Sequence, residues 1–365
     1  MQQQIEGKKV LIQMRDLRIG NGIAACIMNY YEFTIQQGFK IEFLLNRNIE
    51  SPYVDLVGRY GSRIYVLPHD TGRPNKDNEA YIKRVVSNGY DVIHVNMSGL
   101  NALVALKEAK HSNIPIRIYH SHNPRETSSL KAYIRSVLYE TPCVHFANRY
   151  ASCSTHAGDS VFKDRHYTVL KNAMNTSNFR FDEGERRRLR NDLCIEDKLV
   201  IGVVGRLAEQ KNPLFTIDVF SELKKICPNT VLLWVGDGDL RKKVEKYAAK
   251  KGVYSSIKLL GVRKDINKLY SAMDVLLLPS KFEGLGIVFI EAQIAGLECF
   301  GSHCVPIDCE ISEKMHRISL NKNAKEWAQI IYNNGRKSRR SDLNIAEKAG
   351  YEITMVKEHM CKLYE

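Results

Sequence analysis

The stretch from Asp274 to Gly296, D-V-L-L-L-P-S-K-F-E-G-L-G-I-V-F-I-E-A-Q-I-A-G, constrains the architecture more than any other part of the chain. Val275 to Leu278 is a short continuous apolar run closed by Pro279 and Ser280, which suits a parallel strand covered on both faces. After the loop 281–286, the sequence I-V-F-I-E-A-Q-I-A is apolar almost all round and predicts a buried helix starting near Gly286. In an open parallel sheet such a strand, loop and helix place the loop at the carboxyl ends of the strands. The helix start then offers backbone N–H groups and the positive end of a dipole, so the loop is a candidate phosphate or sugar site. Glu283 lies in the loop and Glu291 in the second turn of the helix. Helical side chains lean toward the N-terminus, so Glu291 can reach back to the crevice that Glu283 faces. A carboxylate inside an apolar helix needs a partner, and the plain alternative is a Glu that caps backbone amides or pairs with an Arg.

Glu283 and Glu291 are separated by seven residues, with G-L-G after the first and A-x-x-A-G after the second. This pattern, following a D-V-x-x-x-P-S strand, resembles the donor-site motif of family 4 retaining glycosyltransferases. The resemblance implies a GT-B fold, α/β, with two Rossmann-like doubly wound domains facing a central cleft. It also implies roles. Glu283 would hold sugar hydroxyls and Glu291 the ribose hydroxyls, beside the backbone of Gly284, Leu285 and Gly286.

With 365 residues the chain exceeds what one core usually supports, so two domains are expected. The hydrophobic content of 44% and charged content of 26% are those of a globular protein. No signal-like segment opens the chain and no apolar run approaches the roughly 18 residues of a membrane span, so a cytoplasmic protein is expected. Nine cysteines without a CxxC pair read as reduced thiols. Cys299, Cys304 and Cys309 are too widely spaced for a zinc knuckle and read as small buried hydrophobes. A net charge of +13 fits nucleic acid, an anionic membrane surface or an anionic substrate. The absence of zinc-finger, RNP-type, KH or basic-zipper motifs places nucleic acid last.

Along the chain, K-V-L-I-Q-M (Lys9–Met14) is a strand and 23–37 a helix, joined by R-D-L-R-I-G-N-G, a second Gly-containing turn at a helix start. The family usually has two adjacent glycines there. Here Asn21 precedes Gly22, both candidate substrate contacts, and Ala24 stands where the family often has Glu. Strands at 40–45, 63–67 and 91–95 follow, with His94 a satisfied histidine at a strand end. I-R-I-Y-H-S-H (116–122) carries two histidines at its carboxyl end. By resemblance His120 faces the donor sugar, with His122 the fallback. Segment 129–150 interleaves Lys131, Arg135 and Arg149 with Tyr133, Leu138, Tyr139 and Phe146. It reads either as an ordinary amphipathic surface helix or as a face that lies on anionic lipid.

Residues 1–180 are expected to form the N-terminal acceptor-binding domain and 181–197, rich in Arg and Glu, the linker with its first helical turn. Residues 198–348 would form the nucleotide-sugar-binding domain and 349–365 a C-terminal helix returning to the first. The second domain opens with L-V-I-G-V-V-G-R-L-A-E-Q-K. Arg206 and Lys211 on one strand-to-helix loop suit a diphosphate, the Arg as a fork and the Lys as a point charge, though alone they would read as solvated cations. Together with Gly205, their G-R-L-x-x-x-K spacing matches the family. The next strand with its loop spans 230–239 and 257–261 follows, and Val262 and Arg263 fall where the family contacts the base. After Gly296, Val305-Pro306 replaces a Gly-Gly turn, a variant that resembles the subgroup building capsular and exopolysaccharides.

The resemblance implies transfer of a sugar from a UDP-sugar, with retention of configuration, to a lipid-linked or other glycan acceptor. No cofactor or metal is expected, since no Asp-x-Asp pair is apparent. Catalysis would rest on His120, Glu283, Arg206 and Lys211. The rival reading is a non-catalytic sugar-nucleotide-binding subunit of another glycosyltransferase.

Overall fold

The computed structural model describes residues 7–71, 73–125, 130–335 and 339–365. The chain divides into two compact units, residues 1–174 with 353–365, and residues 175–352. The first expected boundary therefore moves from 180 to 174. Residues 181–197 are not a linker: they hold the helix Glu183–Asp192, part of the second unit. Arg186 and Arg190 of that helix grip the two carboxylate oxygens of Asp274 at 2.6 and 2.7 Å, so charge pairing holds a helix that has little apolar face.

In the first unit the described strands are β1 (Lys9–Met14), β2 (Lys40–Leu45), β3 (Ile64–Val66), β4 (Val92–Val95), β5 (Ile116–Ser121), β6 (Arg149–Ser152) and β7 (Thr168–Val169). They form one parallel sheet in the order β3-β2-β1-β4-β5-β6-β7. Its core strands are apolar on successive residues, as a sheet covered on both faces requires. One face packs Tyr30, Tyr31 and Phe43 against Met360, Leu363 and Tyr364 of the returning segment. The other face packs Leu11, Ile93 and Tyr119 against helices Lys76–Val86, Leu100–His111 and Leu130–Phe146. The expected single C-terminal helix is two pieces, Ile353–Val356 and Glu358–Tyr364.

The second unit contains β8 (Leu199–Val204), β9 (Thr230–Val235), β10 (Ile257–Leu259), β11 (Val275–Leu278), β12 (Glu298–Ser302) and β13 (Met315–Ile318). Their order is β10-β9-β8-β11-β12-β13, again parallel. In both sheets the order reverses beside the first strand, at β1/β4 and at β8/β11. Those switch points are where doubly wound sheets leave a crevice for a ligand. Trp234, Trp327, Phe220 and Phe289 are fully buried around the second sheet.

Candidate active site

The two loops that leave the β8/β11 switch point are tied together. Lys281 N–H donates to the Gln210 carbonyl at 2.8 Å, and Gln210 Nε2 donates to the Phe282 carbonyl at 3.1 Å. Lys211 Nζ lies 2.6 and 2.8 Å from the two oxygens of Glu283. The Ser280 hydroxyl donates to Glu283 Oε1 at 2.5 Å. Glu283 is buried, so its charge is held there by an ammonium and a hydroxyl rather than by water. Two of the expected catalytic residues are thus bonded to each other. An ammonium has three protons, and those not engaged by Glu283 remain for an anion. Arg206 in the same loop is exposed, and its side chain has no partner among the described residues.

Glycines set the path of this loop. Gly205 N–H donates to the Val235 carbonyl at 2.9 Å, and Trp234 Nε1 donates to the Gly205 carbonyl at 3.0 Å. A Cβ on Gly236 would sit 2.2 Å from the Gly205 carbonyl oxygen, and one on Gly238 would sit 2.6 Å from the Leu207 carbonyl oxygen. Backbone contact this close admits only glycine at both positions, so the G-D-G turn after β9 is what seats Arg206.

Gly286 opens the helix Ile287–Ile294 with φ +81°, a left-handed conformation that favours glycine. Gly284, Leu285 and Gly286 are buried beside Glu283. In the helix, half-buried Glu291 accepts a 2.6 Å hydrogen bond from the Tyr270 hydroxyl. Burial raises its pKa and the Tyr270 bond pulls it only part of the way back, which leaves it at about 7. Val262 is exposed, whereas Arg263 forms a two-pronged pair with Asp265 at 2.8 and 2.7 Å. A ligand would have to share that guanidinium. Ser280, Gln210 and Tyr270 were not singled out by sequence reasoning, since none has a local signal beyond the P-S step.

In the first unit, Asn21 is the N-cap of the helix Gly22–Gln36. Its Oδ1 accepts from Ile23 N–H at 3.1 Å, and its amide donates to Asp16 at 3.0 Å. The side chain is therefore engaged by the cap and by Asp16, while Gly22 is exposed. Fully buried Asp16 beneath it also takes a two-pronged contact from Arg47 at 3.0 and 2.9 Å. Burial would raise its pKa, but the bonds from Asn21 and Arg47 outweigh this and hold the carboxyl below its ordinary range. An anchored carboxylate at this point makes the loop a poorer phosphate cradle than the one after β8.

His120 is buried at the end of β5, with His94 and His122 beside it. Burial drives the pKa values of His94 and His122 down to about 3 and that of His120 well below normal, so all three rings are neutral at pH 7. Of segment 129–150, Ser129 lies outside the described residues. The helix ends at Phe146, and Arg149 and Tyr150 belong to β6. Phe146 and Tyr150 pack inward. No group of His, Cys, Asp or Glu that could hold a metal ion occurs among the described residues.

Residues 185–332 match the family described as Glycosyl transferases group 1. Over 346 residues the chain is 26% identical to the putative glycosyltransferase EpsF of Bacillus subtilis (strain 168), covering 89% of this chain and 87% of that protein. Over 130 residues, 35% of this chain and 34% of the relative, it is 32% identical to an Escherichia coli UDP-Gal:alpha-D-GlcNAc-diphosphoundecaprenol alpha-1,3-galactosyltransferase. Among solved structures, Anabaena HepE in complex with UDP and glucose aligns with a TM-score of 0.79 at 17% identity, over 97% of this chain and 98% of that one. WaaG, a glycosyltransferase involved in lipopolysaccharide biosynthesis, aligns with a TM-score of 0.69 at 17% identity, over 93% of this chain and 94% of that one. At such identities the solved structures speak for the fold, two parallel-sheet α/β units of the GT-B kind.

Proposed function

We propose that this chain, a GT-B glycosyltransferase resembling exopolysaccharide enzymes, moves a sugar from a UDP-sugar to a glycan acceptor with retention of configuration and without a metal ion. The observation that carries the reading is the Lys211–Glu283 pair at the β8/β11 switch point, flanked by the uncommitted Arg206 and the N-terminus of the helix Ile287–Ile294. In such a transfer the leaving diphosphate gains negative charge as the anomeric carbon becomes cation-like. Arg206, the remaining protons of Lys211 and the amides at the helix start are suited to receive that charge, the preorganised electrostatic role. Glu283, paired with Lys211, would accept hydrogen bonds from sugar hydroxyls, and Glu291 from the ribose. The names of the E. coli relative and of HepE support a UDP-sugar donor, and the EpsF resemblance supports polysaccharide synthesis.

The test is release of UDP from a panel of UDP-sugars with a glycan acceptor in excess chelator, with the anomeric configuration of the product read by NMR. Activity is expected to persist in chelator with retention. Arg206→Ala should lower turnover by about 10²-fold, as for loss of one oxyanion donor, with no change in melting temperature because the residue is exposed. Abolition by chelator with rescue by Mn²⁺, or normal turnover in Arg206→Ala, overturns the metal-free diphosphate site.

The acceptor proposed is lipid-linked, reached from the membrane surface. On the helix Leu130–Phe146, Leu130, Tyr133, Ile134 and Leu138 recur at one-face spacing and are exposed, at 75%, 44%, 48% and 61%. Lys131 and Arg135 are exposed among them. No helix among the described residues is long and apolar enough to cross a membrane.

A further inference from the structure

His94 and His120, on neighbouring strands β4 and β5, lie in one plane-parallel stack, with ring centres 5.3 Å apart and an interplanar angle of 6°. His94 Nδ1 is 2.9 Å from the Tyr364 hydroxyl. His94 Nε2 is 3.1 Å from His120 Nδ1. These contacts make a chain of three groups, Tyr364, His94 and His120, buried at 0, 0 and 1% exposure. Beyond it His120 Nε2 is buried with no partner among the described residues. His122 stacks on His120 at 3.9 Å between centres, but its own Nε2 is taken up by Asn96 Oδ1 at 3.0 Å.

A neutral imidazole donates from one nitrogen and accepts at the other, so the chain can run in two directions. In one, Tyr364 donates to His94 Nδ1, His94 Nε2–H donates to His120 Nδ1, and His120 carries its proton on Nε2. In the other, His120 Nδ1–H donates to His94, His94 Nδ1–H donates to the Tyr364 oxygen, and the phenolic proton is left pointing into the core. His94 Nδ1 is the only polar partner of the Tyr364 hydroxyl among the described residues. The first direction therefore leaves one buried group unmade, the His120 Nε2–H. The second leaves two, the phenolic proton and the His120 Nε2 lone pair. Unmade buried polar groups are what folding avoids, so the first direction is favoured.

We infer that Tyr364 is a positioning residue: acting through His94, its hydroxyl fixes His120 as the Nε2–H tautomer, a hydrogen-bond donor that a ligand oxygen would satisfy rather than a proton-accepting base. The consequence for transfer rests on the reading that His120 faces the donor sugar. The tautomer itself does not. Tyr364 comes from the segment that returns to the first unit, so the last turn of the chain sets the chemistry of a residue on β5.

The test uses the full chain with ¹⁵N-labelled histidine and long-range ¹H–¹⁵N correlation at pH 7, together with steady-state transfer kinetics. His120 is expected to show a protonated Nε2 and an unprotonated Nδ1. Tyr364→Phe keeps the ring and removes the directing proton, so His120 should become a mixture of tautomers. In that variant kcat should fall about tenfold, the worth of one hydrogen bond, with KM for the UDP-sugar unchanged. Should Tyr364→Phe fail to fold, His94→Leu tests the relay instead, because His120 Nδ1 then loses its donor and His120 should show a mixture of tautomers. A protonated Nδ1 on His120 in the unsubstituted chain overturns the inference, as does a tautomer indifferent to Tyr364→Phe. A tautomer set by Tyr364 alongside full activity of His120→Ala would uphold the relay and instead sink the assignment of His120 to the sugar.

Discussion

At the scale of single residues, the candidate donor site is a contest between burial and charge. Glu283 and Lys211 neutralise each other in a place where neither is well hydrated, and removing either partner strands the other at a cost of roughly 3–5 kcal/mol. Loss of activity in Lys211→Ala therefore mixes chemistry with stability, whereas exposed Arg206 reports on chemistry alone. Among the described residues no cation pairs with Glu291, which is bonded by the Tyr270 hydroxyl, and its pKa rises to about 7. That shift has a definite sign. Ribose hydroxyls donate to the ionised carboxylate and so favour it, which couples nucleotide binding to proton release. UDP affinity should accordingly weaken as pH falls below 7, by up to about tenfold per pH unit, and level off above it. Calorimetry across pH 5.5 to 8.5, compared with Glu291→Gln, isolates this residue, since the titration of UDP's own phosphate is common to both proteins. Identical pH profiles for the two would exclude Glu291 from the ribose site. The sign for folding is the opposite: the native state holds the proton that the unfolded state loses above about pH 4.5, so this carboxyl makes the fold less stable as pH rises from there to about 7.

At the scale of elements, the helix Leu130–Phe146 carries an exposed apolar stripe flanked by two cations. Each cation near an anionic surface contributes about 1 kcal/mol within a Debye length, and exposed leucine and isoleucine side chains add burial in the headgroup layer. In liposome flotation, binding is expected only with anionic lipid, to fall with added salt, and to weaken in Lys131→Glu/Arg135→Glu and in Leu138→Asp. Flotation indifferent to lipid charge would refute the membrane face. The sequence reading had counted Phe146 in that stripe, but Phe146 closes the core on the opposite side, because a list of aromatic residues does not say which turn of the helix each occupies. What was legible elsewhere follows the same logic. Val275–Leu278 and Leu199–Val204 announce themselves because strands covered on both faces are apolar at every position. The helix Glu183–Asp192 was hidden because a single apolar side chain, Leu189, is buried on it, and its anchors are arginines that reach Asp274, more than eighty residues away. Motif spacing brought Lys211 and Glu283 to one crevice. The partners that tune the site, Ser280 on Glu283 and Tyr270 on Glu291, depend on how helices and loops stack on the sheet, which no local pattern encodes.

At the scale of the whole molecule, the two units differ in how the chain builds them. The second is one continuous run, 175–352, and it contains Gly205, Arg206, Lys211, Val262, Arg263, Glu283 and Glu291. The first is assembled from 1–174 and the returning 353–365, whose Val356, Met360, Cys361, Leu363 and Tyr364 lie in its core cluster. Tyr364 is fully buried and meets Phe39 edge-on with ring centres 5.6 Å apart. Removing a buried aromatic of this kind costs about 3–5 kcal/mol, and losing the whole segment removes five core side chains at once. Against a total stability of about 5–15 kcal/mol for a typical domain, that loss is enough to unfold the unit. The chain should therefore divide unequally. Residues 175–352 produced alone are expected to melt cooperatively and to bind UDP within about tenfold of the full chain, since a preformed site loses little when its residues share one rigid sheet. Residues 1–174 alone are expected to lack a cooperative transition and to regain one when 353–365 is fused behind residue 174 through a short Gly/Ser linker. Circular dichroism melts and UDP calorimetry on the three fragments decide the matter. A folded 1–174 would show the returning segment to be dispensable to the first core, and a folded 175–352 that ignores UDP would move the nucleotide site out of the second unit.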